Sequence, residues 1–165
     1  MRPRSLATAV GLLLPLLPGV AANAAVAVSF VGAEHYTDAG IYGADSARNL
    51  GVLDRHIKTL AARCVAEDEF LEIEVHDVDL AGRHEWWRGK AYDVRIMREI
   101  TWPRLDVHYV WRDAAGAVRA EGREQVADMN YLLRSSRVRY EADVLPYEKS
   151  MVEEWVEQRL CRDRH

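Results

Sequence analysis

Asp77 and Asp79 stand two residues apart at the end of an alternating apolar run, Leu71 to Leu80. Side chains two apart on a strand share a face, so the two carboxylates point the same way. Such a pair binds calcium, or divides acid and base roles when its environments differ. His84, Glu85 and His108 are available as a third ligand, while His76 points to the opposite face of a regular strand. The competing assignment is structural: an Asp-x-Asp at a strand end accepts turn N–H groups or pairs with arginine. No HExxH, CxxC or EF-hand spacing is present. No metal is therefore assigned, and Asp77 and Asp79 remain the candidates for one. There is also no Gly-x-Ser-x-Gly elbow, phosphate loop or dinucleotide fingerprint. No catalytic residue and no cofactor follow.

A second group is aromatic. His84-Glu85-Trp86-Trp87-Arg88-Gly89-Lys90 sets two tryptophans among charges. In extended chain, adjacent side chains point to opposite faces, so both cannot enter a one-sided core. With Trp102 and Trp111 they would line a groove suited to sugars, peptides or a partner's edge strand. His84, Trp86, Trp87, Arg88 and Trp102 are the candidate binding residues. The competing assignment has one tryptophan capping the sheet edge and the other flat under Arg83 or Arg88. Nearby, Asp93, Arg95, Arg98 and Glu99, with Asp128 and Asn130, form a polar set beside a hairpin. Buried charges need partners, so this set reads as a structural ion-pair web.

The elements that position these residues follow from apolar periodicity. Val26 to Val31 alternates and reads as the first strand. Ser46 is a suitable N-cap for a helix over 47–64, whose apolar face is Leu50, Leu53, Ile57, Leu60, Ala61 and Cys64. Leu71, Ile73 and Val75 alternate with Glu72, Glu74 and His76 in a half-buried strand. The apolar parity then switches at Val78 and Leu80, which calls for a bulge near His76–Asp77. Leu105, Val107, Tyr109 and Trp111 mark another strand. Asp113-Ala114-Ala115-Gly116 turns it back into Ala117–Ala127. Pro146 suits the first turn of a second helix, over 146–161, with Met151, Val152, Trp155, Val156 and Leu160 as its stripe. The order implies an α+β two-layer sandwich: a four- or five-stranded mixed sheet with two helices packed on one face.

The chain has 165 residues and a formal net charge of −4. Arg2 and Arg4, the apolar run Leu6–Val20 and the small-x-small Ala22-Asn23-Ala24 form a secretory signal pattern. Pro15, Pro18 and Gly19 break the run, which is also short for a membrane span. Residues 1–24 are expected to be a cleaved signal peptide and 25–165 a single domain without a transmembrane anchor. Loss of the two arginines takes the charge to −6. That acidity disfavours nucleic acid, whose phosphates need basic neutralisation. Export to the periplasm or outside lets Cys64 and Cys161 pair. Each falls at the C-terminal end of a predicted helix, so helices packed side by side bring the two together.

Several blocks in order resemble the domain-of-unknown-function 3016 family of secreted bacterial proteins. They are Val28-Ser29-Phe30-Val31, Tyr36-Thr37-Asp38, Asp77-Val78-Asp79-Leu80-Ala81-Gly82, Asp93-Val94-Arg95-Ile96-Met97-Arg98, Ile100-Thr101-Trp102-Pro103-Arg104, Asp128-Met129-Asn130-Tyr131 and Tyr147-Glu148-Lys149. The resemblance implies export and one domain, and carries no reaction. The leading expectation is a non-catalytic envelope protein that binds an envelope protein or small ligand through the Trp-rich connection. One alternative is a small exported metal-dependent or hydrolytic enzyme using Asp77, Asp79 and nearby histidines. Another is a strand-pairing accessory of an envelope assembly.

Overall fold

The computed structural model describes residues 25–85, 87, 94–133 and 142–162. The expected signal segment, 1–24, lies outside them. The elements run β1 (Ala25–Phe30), a 3-10 turn (Ala33–His35), α1 (Gly43–Ala61), β2 (Phe70–Asp79), β3 (Arg83–His84), β4 (Arg95–Ile96), β5 (Arg104–Arg112), β6 (Val118–Ala127) and α2 (Pro146–Val156). A π-helical turn, Glu157–Cys161, continues α2.

The main sheet has the order β1-β2-β5-β6. β1 lies parallel to β2, while β2–β5 and β5–β6 are antiparallel. β3 and β4 form a separate two-stranded ribbon. This is the mixed four-stranded α+β arrangement expected, with the ribbon added inside the Trp-rich connection.

Strict alternation explains the layering. Leu71, Ile73 and Val75 on β2 and Leu105, Val107, Tyr109 and Trp111 on β5 all face one side and are buried. They join Leu53, Ile57 and Leu60 of α1 and Met151, Val152, Trp155 and Val156 of α2 in one core. The other sheet face carries Glu74, His76, Asp106 and His108, all partly exposed. The expected bulge is present: the β2–β5 register shifts between Val75 and Asp77, leaving His76 without a cross-strand partner. Parity then resets so that Val78 and Leu80 re-enter the core.

Three boundaries differ from expectation. α1 begins at Gly43, because Tyr42 is extended and serves as N-cap. The Ser46 N–H already donates to the Tyr42 carbonyl at 2.9 Å, so Ser46 sits inside the first turn rather than before it. α1 ends at Ala61, three residues short of Cys64. α2 loses its α-helical pattern after Val156. Pro146 does occupy the first turn of α2, where its missing N–H costs nothing.

Two long-range ties close the helix layer. Cys64 and Cys161 form a disulfide, with Cα atoms 4.8 Å apart across 97 residues of sequence. A ring nitrogen of His56 on α1 lies 3.0 Å from the Lys149 carbonyl on α2. The start of α2 is also fastened to the sheet: Glu148, 3% exposed, accepts the Ala81 N–H at 2.7 Å. Burial pushes the Glu148 carboxyl above its ordinary range, against the lowering effect of that hydrogen bond.

Candidate functional site

The connection from β2 to β5 carries the tryptophan pair, and arginine anchors fix its ends. Gly82, at φ +77°, turns the chain into the ribbon. A Cβ there would lie 2.8 Å from the Ile96 carbonyl oxygen and 2.7 Å from Met97 Sδ, so the returning strand requires glycine. Arg95 places two nitrogens on the two carboxylate oxygens of Asp38, at 2.9 and 3.0 Å. It also donates to the Ala81 and Gly82 carbonyls. Arg98 grips the buried Glu85 carboxylate at 2.6 and 3.0 Å, and its carbonyl accepts the Tyr131 hydroxyl at 2.8 Å.

Asp77 and Asp79 are both engaged through every carboxylate oxygen. Asp77 accepts the Thr37 N–H and hydroxyl, each at 2.7 Å, which fastens the loop after β1 to β2. Asp79 is 2% exposed and holds Arg83 on one side and Arg104 on the other. Burial opposes its ionisation, but the hydrogen bonds and charges of the two arginines prevail and hold its carboxyl below the ordinary range. Neither aspartate turns a free oxygen toward a cation. Their neighbours His84 and Glu85 lie in the connection, with Glu85 bound to Arg98.

The ion-pair web exists with a different membership from the one read from the sequence. It is Asp38, Asp79, Arg83, Arg95 and Arg104. Asp38 was missed because it sits in the loop after β1, brought alongside Asp79 by an isolated parallel bridge. Arg98 pairs with Glu85 instead of joining the web. Asp128 turns its own local chain, accepting the Asn130 N–H at 3.0 Å. Asp93 lies outside the described residues.

The tryptophans separate by environment. Trp111 is 1% exposed and donates its indole N–H to Glu69 at 3.0 Å, so it is core and not part of an aromatic groove. The parity of β5 puts it beside Leu105 and Val107. Trp102 is half-buried with the Arg104 guanidinium 5.8 Å from its ring centre. Trp87 is 62% exposed, and Val94, Met97 and Ile100 on the same connection are exposed as well. Trp86 and Arg88 lie outside the described residues. A cleft of about 260 Å³ is lined by His84, Arg95, Asn49 and Leu145 among others. A larger one, about 480 Å³, lies beside Tyr36, Asp38, Ser46 and Leu50, away from the tryptophans.

The uncovered sheet face brings different groups together. Glu74 on β2 and His108 on β5 are cross-strand partners. Glu74 Oε2 lies 3.1 Å from His76 Nε2 and 3.3 Å from His108 Nδ1. The far nitrogen of His108 lies 3.4 Å from Glu121 Oε1 on β6. Hydrogen bonds from His108, and then from His76, hold the Glu74 carboxyl below its ordinary range. Among the described residues these are the metal-ligating atoms that converge, all three within 4.8 Å of one another. His108 was legible as a possible ligand; His76 was set aside as facing away from Asp77 and Asp79, and Glu74 was missed because register decides what stands opposite it.

No helix among the described residues is long and apolar enough to cross a membrane. The comparison with curated proteins returned no match. The profile of one family, described as protein of unknown function (DUF3016), matches residues 24–158, nearly the whole described fold with its anchored connection and the first of the two disulfide cysteines, Cys64. The chain belongs to that family.

Proposed function

We propose that the protein is exported and works without catalysis, as a cell-envelope protein that docks another protein through the β2–β5 connection. The observation that carries the reading is Trp87, 62% exposed on a connection that also exposes Ile100 at 78%. Arg95 and Arg98 anchor the same connection to Asp38 and Glu85. Large exposed apolar side chains on an anchored stretch of chain are the chemistry of an interface hot spot. A protein suits this surface better than a small ligand. The cleft that includes His84 is about 260 Å³, below the roughly 300–1,000 Å³ of ordinary ligand pockets. Export is supported by the apolar leader pattern, by a family match that starts at residue 24, and by the Cys64–Cys161 disulfide.

The test is crosslinking of the full chain in its own envelope, followed by recovery and identification of the bound protein. Trp87→Ala and Ile100→Asp should each abolish a crosslink seen with the wild type, while changing unfolding free energy by less than about 0.5 kcal/mol, as for surface positions. An unchanged crosslink pattern in both variants would overturn the docking reading. A loss of about 3–5 kcal/mol in Trp87→Ala would mark that tryptophan as core instead.

A further inference from the structure

The geometry points to a binding site for a divalent transition-metal ion, zinc in the first instance, on the uncovered sheet face. Its three protein ligands are Glu74 Oε2, His76 Nε2 and His108 Nδ1. The inference does not depend on how the β2–β5 connection is used. Two imidazoles and a carboxylate are borderline ligands that suit zinc and its neighbours rather than calcium or magnesium. A tetrahedral zinc with bonds of about 2.0–2.1 Å sets its ligand atoms about 3.3–3.4 Å apart. Glu74 Oε2 already stands 3.1 and 3.3 Å from the two histidine nitrogens. Two edges of the tetrahedron are thus in place, and the third closes by rotation of half-exposed imidazoles.

Backbone features build the site. Glu74 and His108 face each other in register on two central strands, so their separation is fixed by the sheet. His76 is the extra residue of the β2 bulge. Two residues on from Glu74, it shares the outer face with that carboxylate, and the bulge leaves it without a cross-strand neighbour. Glu121 supplies the supporting layer. Its carboxylate beside His108 Nε2 can accept the ring proton there, so that a metal entering between His108 and Glu74 displaces the Nδ1 proton and takes the Nδ1 lone pair. The neighbouring Arg123 spends its charge on Asp106, at 2.9 and 3.3 Å. Three protein ligands leave a fourth position for water, and no helix among the described residues covers this face. The site is of the open kind, and what is inferred is binding rather than turnover.

The full chain, purified without a histidine tag and stripped with a chelator, is titrated with zinc chloride by calorimetry, with thermal unfolding followed in parallel. Wild type should bind one equivalent and melt at higher temperature with zinc present. Nitrogen NMR of the imidazoles should show metal on Nε2 of His76 and on Nδ1 of His108. His76→Ala and His108→Ala should each lose the equivalent. Glu121→Gln should weaken binding by about ten- to a hundredfold, the usual effect of a supporting residue. His35→Ala, at an exposed surface histidine, should change nothing. All four side chains of the site face solvent, so the variants should melt like wild type without zinc. If a variant fails to fold, Glu121→Gln and the wild-type NMR signature decide. No zinc bound, or zinc bound with both histidine signals unmoved, overturns the inference.

Discussion

Arg95 sets two guanidinium nitrogens against the two carboxylate oxygens of Asp38, 57 residues earlier in the chain. Both side chains are mostly buried. The pair joins the loop after β1 to the ribbon in the β2–β5 connection. A forked donor meets a planar carboxylate here, which an ammonium cannot reproduce.

Arg95→Ala should therefore cost about 3 kcal/mol of unfolding free energy, at the low end for breaking a buried pair. Arg95→Lys should recover part of that and no more. Urea unfolding of both variants measures it. A value for Arg95→Ala within about 0.5 kcal/mol of wild type, the range of surface positions, would show that the connection is held by other contacts.

Asp79 makes the fold acid-sensitive. Its folded carboxyl titrates below the unfolded value of 3.8 because Arg83 and Arg104 favour the charge over the opposing effect of burial. Its stabilisation is thus fully present above about pH 4 and is lost as pH falls through the folded value. Asp79→Asn should be less stable at neutral pH, where Arg83 and Arg104 lose their shared counter-charge. Its stability should also fall less steeply on acidification. Unfolding curves across the acid range, with parallel slopes in the two proteins, would contradict this.

Glu148 has the opposite sign. Burial raises its folded carboxyl above the unfolded 4.5, so the ionised side chain is a cost present above the folded value. That cost is relieved as pH falls through the folded value. Glu148→Gln keeps an oxygen for the Ala81 N–H and removes the charge. The variant should be at least as stable as wild type at neutral pH, with a flatter profile from pH 4.5 upward. Marked destabilisation at neutral pH would mean the ionised form is needed.

The Cys64–Cys161 disulfide closes a loop of 97 residues. On chain-entropy grounds it contributes up to about 4–5 kcal/mol. Reduction, or Cys64→Ala with Cys161→Ala, should lower the midpoint of unfolding accordingly. Thiol titration of the unfolded, unreduced protein should find none. Two titratable thiols would refute the bridge.

Export is checked at the amino terminus. Mass spectrometry of the envelope fraction should find a chain beginning at or next to Ala25. Recovery of an intact species starting at Met1 in the cytoplasm would count against the leader pattern.

Local period and parity in the sequence were enough to determine the two helices, the four strands of the main sheet, the core faces of β2 and β5 and the place of the bulge. Leu71, Ile73 and Val75, then Val78 and Leu80, report their own burial because pleating alternates side chains. The cysteines at two helix ends pointed to each other for the same kind of reason: both helices show one apolar stripe, so they share a layer. The tertiary structure decided what the period cannot carry. A period of two says that Glu74 and His108 face outward, but only the β2–β5 register sets them opposite each other. Trp111 and Trp87 look alike as letters; pairing puts one in the core and leaves the other in water. Asp38 takes Arg95, and Asp79 takes Arg83 and Arg104, because the loop after β1 continues along the edge of β2. Those partners lie up to 57 residues apart, and nothing within a local window specifies which distant charge will arrive.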